Sequence, residues 1–190
     1  RKFVLEAVKL SGDALEFADK SFRKDREIVL TAVKTWGYAL EYVHKSFKKD
    51  REIVLTAIKS KSKLYGYGDC IKYADESLRK DRNIVLAAVK SHGYALEYVD
   101  ENFRKDREIL LETVKTGPYA LRFADKNFLK DKKFILEAVK LNGDAVEFAD
   151  KKLRKDKEIA IAAVKQSGYA FEYLDKSLRK NRKLVLLAVK

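Results

Sequence analysis

The 190-residue chain has no methionine, one cysteine (Cys70), one proline (Pro118), one tryptophan (Trp36) and two histidines (His44 and His92). A single cysteine excludes an internal disulfide framework and is compatible with a reducing compartment such as the cytoplasm. Neither histidine stands at a metal-ligand spacing from Cys70, so no zinc or other metal site is expected. Gly-rich phosphate loops and nucleophile elbows are also missing. "YGYGDC" at 65–70 comes nearest, but it lacks the Lys-Ser/Thr ending and a preceding strand. No apolar run approaches the roughly 18–20 residues that cross a bilayer, so no transmembrane segment is expected. The chain opens Arg1-Lys2-Phe3 and reads as a piece of a longer protein, so targeting signals are not assessed from it.

What is present is charge and repetition. Charged residues make up 37% and hydrophobic residues 46%, a balance that excludes intrinsic disorder. The net charge of +13 invites an anionic partner. "VLTAVKTWGYALEYVHKSF" (29–47) returns as "VLAAVKSHGYALEYVDENF" (85–103), with 13 of 19 positions identical. An aspartate opens each unit, at Asp25, Asp50, Asp81, Asp106, Asp131 and Asp156, with Asn181 last. The period is 25 residues except for one gap of 31. The units are 1–24, 25–49, 50–80, 81–105, 106–130, 131–155 and 156–180, followed by a half unit, 181–190. A fixed period of this size marks stacked supersecondary units, here one continuous array over 1–190.

Within unit 25–49, Asp25 is placed to N-cap a helix. Ile28, Val29, Leu30, Ala32 and Val33 cover about 200° of its surface, too wide for a surface helix. Lys34 stands at the helix C-terminus, where a cation is favoured, and Gly37 follows as a C-cap-like residue. Ala39, Leu40, Tyr42 and Val43 share one face of a second, shorter helix. A third turn begins at a cap aspartate (Asp19, Asp75, Asp100, Asp125, Asp150, Asp175), for which His44 is substituted once. Two rows run through the stack, Phe17 to Tyr173 and Phe22 to Leu178, and read as core ladders because no unit closes its own core. With no strand-like alternation, the expected fold is an all-α solenoid of about seven helical repeats.

"DREIVLTAVKTWGYALEYV" and its copies resemble a tandem short helical repeat family classed as a domain of unknown function and numbered four-one-one-six. Its D-[RK]-E-[IV]-V-L-x-A-V-K-x-x-G-x-A-L-x-[YF]-[AV] pattern spans essentially the whole chain. The resemblance implies a helical array and brings no catalytic residues. The chain departs from the pattern where "SKSKLYGY" (60–67) replaces the usual two residues, and at Asn83, Pro118, Lys133 and Ala160.

Two surfaces emerge as candidate sites. One is the turn before and after the glycine, where residues vary in kind from unit to unit: Trp36, Tyr38, His92, Tyr94 and Tyr119, joined by Lys61, Tyr65 and Tyr67 of the insertion. A constant scaffold with a variable turn edge is how repeat proteins build extended binding surfaces, and tryptophan and tyrosine are hot-spot types. The other is basic. Lys24, Lys49, Lys80 and Lys105 precede the cap aspartates, and Arg26, Arg51, Arg82 and Arg107 follow them, so stacking should align them in a ridge. Such a ridge suits nucleic acid or anionic lipid, unless the aspartates neutralise it. The expected function is a non-enzymatic scaffold for a protein partner, without cofactor. Nucleic-acid or anionic-surface binding through the ridge is the alternative.

Overall fold

A computed structural model describes residues 1–60 and 69–189. These form two compact units, Arg1–Asp100 and Glu101–Lys190. The first contains helices α1 (Lys2–Leu10), α2 (Arg26–Thr35), α3 (Arg51–Ile58), α4 (Glu76–Arg79) and α5 (Arg82–Ser91). The second contains α6 (Arg107–Thr116), α7 (Lys126–Lys130), α8 (Lys132–Leu141), α9 (Lys157–Gln166) and α10 (Arg182–Ala188). No strand occurs among the described residues. The all-α repeat solenoid expected from the period is the observed fold class.

From the second repeat on, each repeat starts with an α-helix held by a side-chain cap; α1, behind Arg1, has none. The Asp25 carboxylate accepts from the N–H groups of Glu27 and Ile28, at 3.1 and 3.3 Å. Asp50, Asp81, Asp131, Asp156 and Asn181 do the same at their own helices. One face is fully buried: Ile28, Val29, Ala32 and Val33 in α2, and Ile53, Val54, Ala57 and Ile58 in α3. Leu30, expected on that face, is only half-buried. Each such Ile or Val withdrawn from water contributes on the order of 1.5–3 kcal/mol.

The helix ends differently from the expected glycine cap. Trp36 is the capping residue, in extended conformation (φ −147°, ψ 107°), and its N–H still reaches the Ala32 carbonyl at 2.8 Å. The buried Gly37 then opens the next element. That glycine answers to packing. A Cβ there would press against the carbonyl group of Ala57 in the following repeat and stand 3.5 Å from Cys70 Sγ. At the equivalent position Pro118 opens its element without needing an N–H.

The second element is a 3-10 helix of five or six residues, such as Gly37–Glu41, Asp69–Tyr73 or Gly143–Phe148. Only Ala39, Leu40 and Val43 of the expected Tyr42 face are buried; Tyr42 stays half-exposed. The third turn is a short 3-10 helix in most repeats and a short α-helix at α4 and α7. Within the first unit α1 packs on α2, α2 on α3 and α3 on α5, while the 3-10 helices stack in a parallel row. Within the second, α6, α8, α9 and α10 and their 3-10 partners repeat the arrangement. The core is the layer between the two rows.

A backbone clasp joins successive third turns. The His44 N–H donates to the Arg23 carbonyl at 3.0 Å, Asp75 to Lys48 at 2.9 Å, and Asp100 to Arg79 at 3.1 Å. The second unit repeats it with Asp125 to Arg104, Asp150 to Leu129 and Asp175 to Arg154.

Candidate interaction edge

The extended residue that stops each α-helix sets the edge. In the first unit Trp36 is thrown outward by its extended backbone, and its ring stacks on Tyr38 at 5.9 Å and on Tyr42 at 6.2 Å. Tyr38 meets Tyr73 of the next repeat edge-on at 6.1 Å. Lys72 Nζ lies among three rings, 4.8 Å from Tyr73, 5.3 Å from Tyr38 and 5.8 Å from Tyr98, at distances where a cation is attracted to a π face. All these side chains are half-buried. Of the two rows expected as buried ladders, the Phe17-to-Tyr173 row is not buried and contributes Tyr42, Tyr73 and Tyr98 to a partly open aromatic band, whereas the Phe22-to-Leu178 row keeps Leu78 and Leu178 buried; the fully buried core is largely aliphatic.

Carboxylates from the preceding repeat act on the band: burial, followed by Glu16 for Tyr42 and Glu41 for Tyr73, raises both phenols. Burial, followed by the Asp69 charge, pushes the Tyr38 phenol up to about 12. Asp69 Oδ1 meets His92 Nδ1 at 3.0 Å. His92 in turn stacks on Tyr94 at 5.4 Å. Trp36 and His92, different in kind, thus share one role, a flat ring laid on the tyrosine two residues later. In the second unit Tyr119 is 46% exposed and meets Phe148 edge-on at 6.0 Å. Lys61, Tyr65 and Tyr67 lie outside the described residues.

The basic rows are largely engaged. Arg1 reaches forward to Asp25 and Glu27, Arg26 to Asp50 and Glu52, and Arg51 to Asp81. In the second unit Arg107 pairs with Glu137 at 2.7 Å, and Lys132 with Asp156 and Glu158 at 2.8 and 2.9 Å. A cation in the first turn of a helix opposes the helix dipole, which is why local helix stability gives no reason for it. The partner supplies the reason: for Arg1, Arg26, Arg51 and Lys132 it is the cap aspartate of the next repeat, and hydrogen bonds from these cations chiefly hold the carboxyls of Asp25, Asp50, Asp81 and Asp156 below their ordinary range; for Arg107 it is Glu137, midway along α8. Arg82 is also engaged. Arg23 and Arg179 are turned onto backbone carbonyls, Ala18 and Glu16 for one and Glu172 for the other. Lys80 pairs with Glu76 at 2.6 Å and Lys49 with Asp75 at 3.7 Å. Lys24 and Lys105 are exposed.

Cys70 is buried, and burial pushes its thiol up to about 12. No group of three or more His, Cys, Asp or Glu among the described residues is arranged to hold a metal. No helix among them is long and apolar enough to cross a membrane.

A family model described as a domain of unknown function (DUF4116) matches residues 1–48, 25–69, 63–104, 81–130, 106–154, 131–179 and 156–190. The chain belongs to that family. No curated protein and no solved structure matches it. The matches overlap along the chain, and those at 1–48, 81–130, 106–154 and 131–179 each span about two neighbouring repeats of the DUF4116 pattern.

Proposed function

We propose that the chain is a non-enzymatic scaffold that binds a protein partner through its turn edge. The observation that carries this reading is the partly open aromatic band of the first unit: Trp36, Tyr38, Tyr42 and Tyr73, ordered around Lys72. Rings already stacked on one another lose little freedom on binding, which is what makes tyrosine and tryptophan effective anchors. His92 and Tyr94 in the same unit extend the band, and Tyr119 offers an exposed ring in the other. The alternative, a phosphate-tracking ridge, draws less support because Arg26, Arg51 and Arg107 already face carboxylates.

The two readings separate in a titration with single-stranded RNA and with acidic vesicles at two salt concentrations. The scaffold reading expects weak binding that lacks a saturable, stoichiometric phase near physiological salt. Tight stoichiometric binding whose logarithm falls steeply with the logarithm of salt would transfer the function to the ridge.

A further inference from the structure

One groove in the first unit differs from its counterpart in the second at the cap position of the third turn; the counterpart also has Leu174 for Val43, and Glu172 and Arg179 in its lining. Where the third turn of one repeat meets that of the next, the chain forms a groove of about 460 Å³. It is lined by Lys20, Arg23, Lys24, Tyr42, Val43, His44 and Lys45. The second unit has a groove of the same volume, about 460 Å³, whose lining includes the residues at the same repeat positions. There Lys151, Arg154, Lys155 and Lys176 take the places of Lys20, Arg23, Lys24 and Lys45, and Asp175 takes the place of His44. The row to which these two belong is otherwise aspartate throughout: Asp19, Asp75, Asp100, Asp125, Asp150 and Asp175.

The aspartate of this row caps the third turn, as Asp175 does by accepting from the Ser177 N–H at 3.0 Å and hydroxyl at 2.6 Å. Two of the row also offer their second oxygen to the lysine that closes the preceding repeat: Lys155 to Asp175 at 3.9 Å, Lys49 to Asp75 at 3.7 Å. His44 keeps the first role and drops the second. Its Nδ1 meets the Ser46 hydroxyl at 2.8 Å and accepts from the Ser46 N–H at 3.4 Å. An Nδ1 that accepts leaves the ring proton on Nε2, so the histidine presents a donor where its counterparts present a carboxylate oxygen. The backbone clasp from the His44 N–H to Arg23 is unchanged. The groove therefore carries three lysines, an arginine and an imidazole donor, with no carboxylate in its lining. Asp19, one residue before Lys20, accepts from the Ser21 N–H and hydroxyl.

We infer that this groove is a binding site for a phosphate monoester. Lysine ammonium groups are compact point charges with rotatable donors, and they suit a tetrahedral oxyanion bearing about two negative charges. Arg23 supplies charge but not a fork, because its Nε and Nη2 are already given to the Ala18 and Glu16 carbonyls. The planar bidentate recognition that would favour a carboxylate is thereby spent. The site lies at the third turn and shares Tyr42 with the aromatic band, but its charged groups are separate from the band and do not depend on the scaffold reading.

Titrating the full chain with inorganic phosphate, and with acetate as the carboxylate control, tests the inference by NMR of the two histidine rings. Saturable phosphate shifts at His44 and not at His92 are expected, with acetate weaker. His44→Asp restores the residue used by six other repeats, so it should fold as the parent does and weaken phosphate binding by about tenfold or more. The reciprocal Asp175→His should create a second phosphate site. Repeating the titration with O-phosphoserine and with a nucleoside monophosphate identifies the source of the ester by whichever binds more tightly. Phosphate binding unchanged in His44→Asp, acetate binding as tightly as phosphate, or no shift at His44 would each overturn the inference.

Discussion

Gly143 is the sharpest test of why a glycine stands after each helix. A Cβ built there would lie 2.9 Å from the Ser167 nitrogen and 3.0 Å from its Cβ, and closer still to the Ala163 carbonyl oxygen. Ordinary contacts begin near 3.4 Å. The Ser167 backbone would have to retreat by about 0.4–0.5 Å, and the last turn of α9 by more, in an interior that transmits such shifts rather than absorbing them. These neighbours are backbone, with no rotamer to escape into, so Gly143→Ala should cost about 1–3 kcal/mol. Gly117 is the internal control. It is extended (φ 169°, ψ 116°), and nothing lies within 4 Å of its missing Cβ. Gly117→Ala should be neutral or stabilise by about 0.4–1 kcal/mol, by narrowing the unfolded ensemble. Urea unfolding followed by circular dichroism measures both. Equal losses in the two variants would refute the packing explanation and return the glycine to a conformational role.

Two other outcomes follow from the charges and the thiol. Asp25, Asp50, Asp81 and Asp156 titrate below their ordinary range in the folded chain. Their contribution is therefore complete above the unfolded value of about 3.9 and fades as pH falls through the lower folded values. The melting temperature should hold down to about pH 4 and then drop, less so in high salt because the pairs are exposed; a fall beginning near neutral pH would contradict the ladder. Cys70, 2% exposed and with its thiol pushed up to about 12, should resist a disulfide reagent at about pH 8 until denaturant is added. Immediate stoichiometric labelling of the native chain would mean that this joint opens readily.

The repeat, the cap aspartates and the buried Ile-Val-Ala-Val face were legible because each rests on local spacing. Asp25 capping Glu27 and Ile28 needs only a helix that begins there. What was not legible lay between repeats or in hydrogen-bond type. A five-residue stretch such as Gly37–Glu41 is too short for its apolar spacing to distinguish a 3-10 from an α-helix. Gly37 reads locally as a cap, since its actual reason, Ala57, lies twenty residues ahead and in another layer. The destination of Arg26 was encoded in a 24-residue separation from Asp50, one repeat less one residue, a relation that emerges only once the repeats are stacked. The Asp69 contact with His92 was hidden because Asp69 follows the insertion that breaks the register.

Site-specific photo-cross-linking tests the scaffold claim most directly. A photoreactive phenylalanine analogue would replace Tyr94 or Tyr119 on the turn edge, or Lys157 in the basic row, in separate full-length chains activated inside cells. Adducts to a common protein from positions 94 and 119, with none from 157, are the predicted result. Adducts to nucleic acid or lipid, or protein adducts from position 157 alone, would contradict the account.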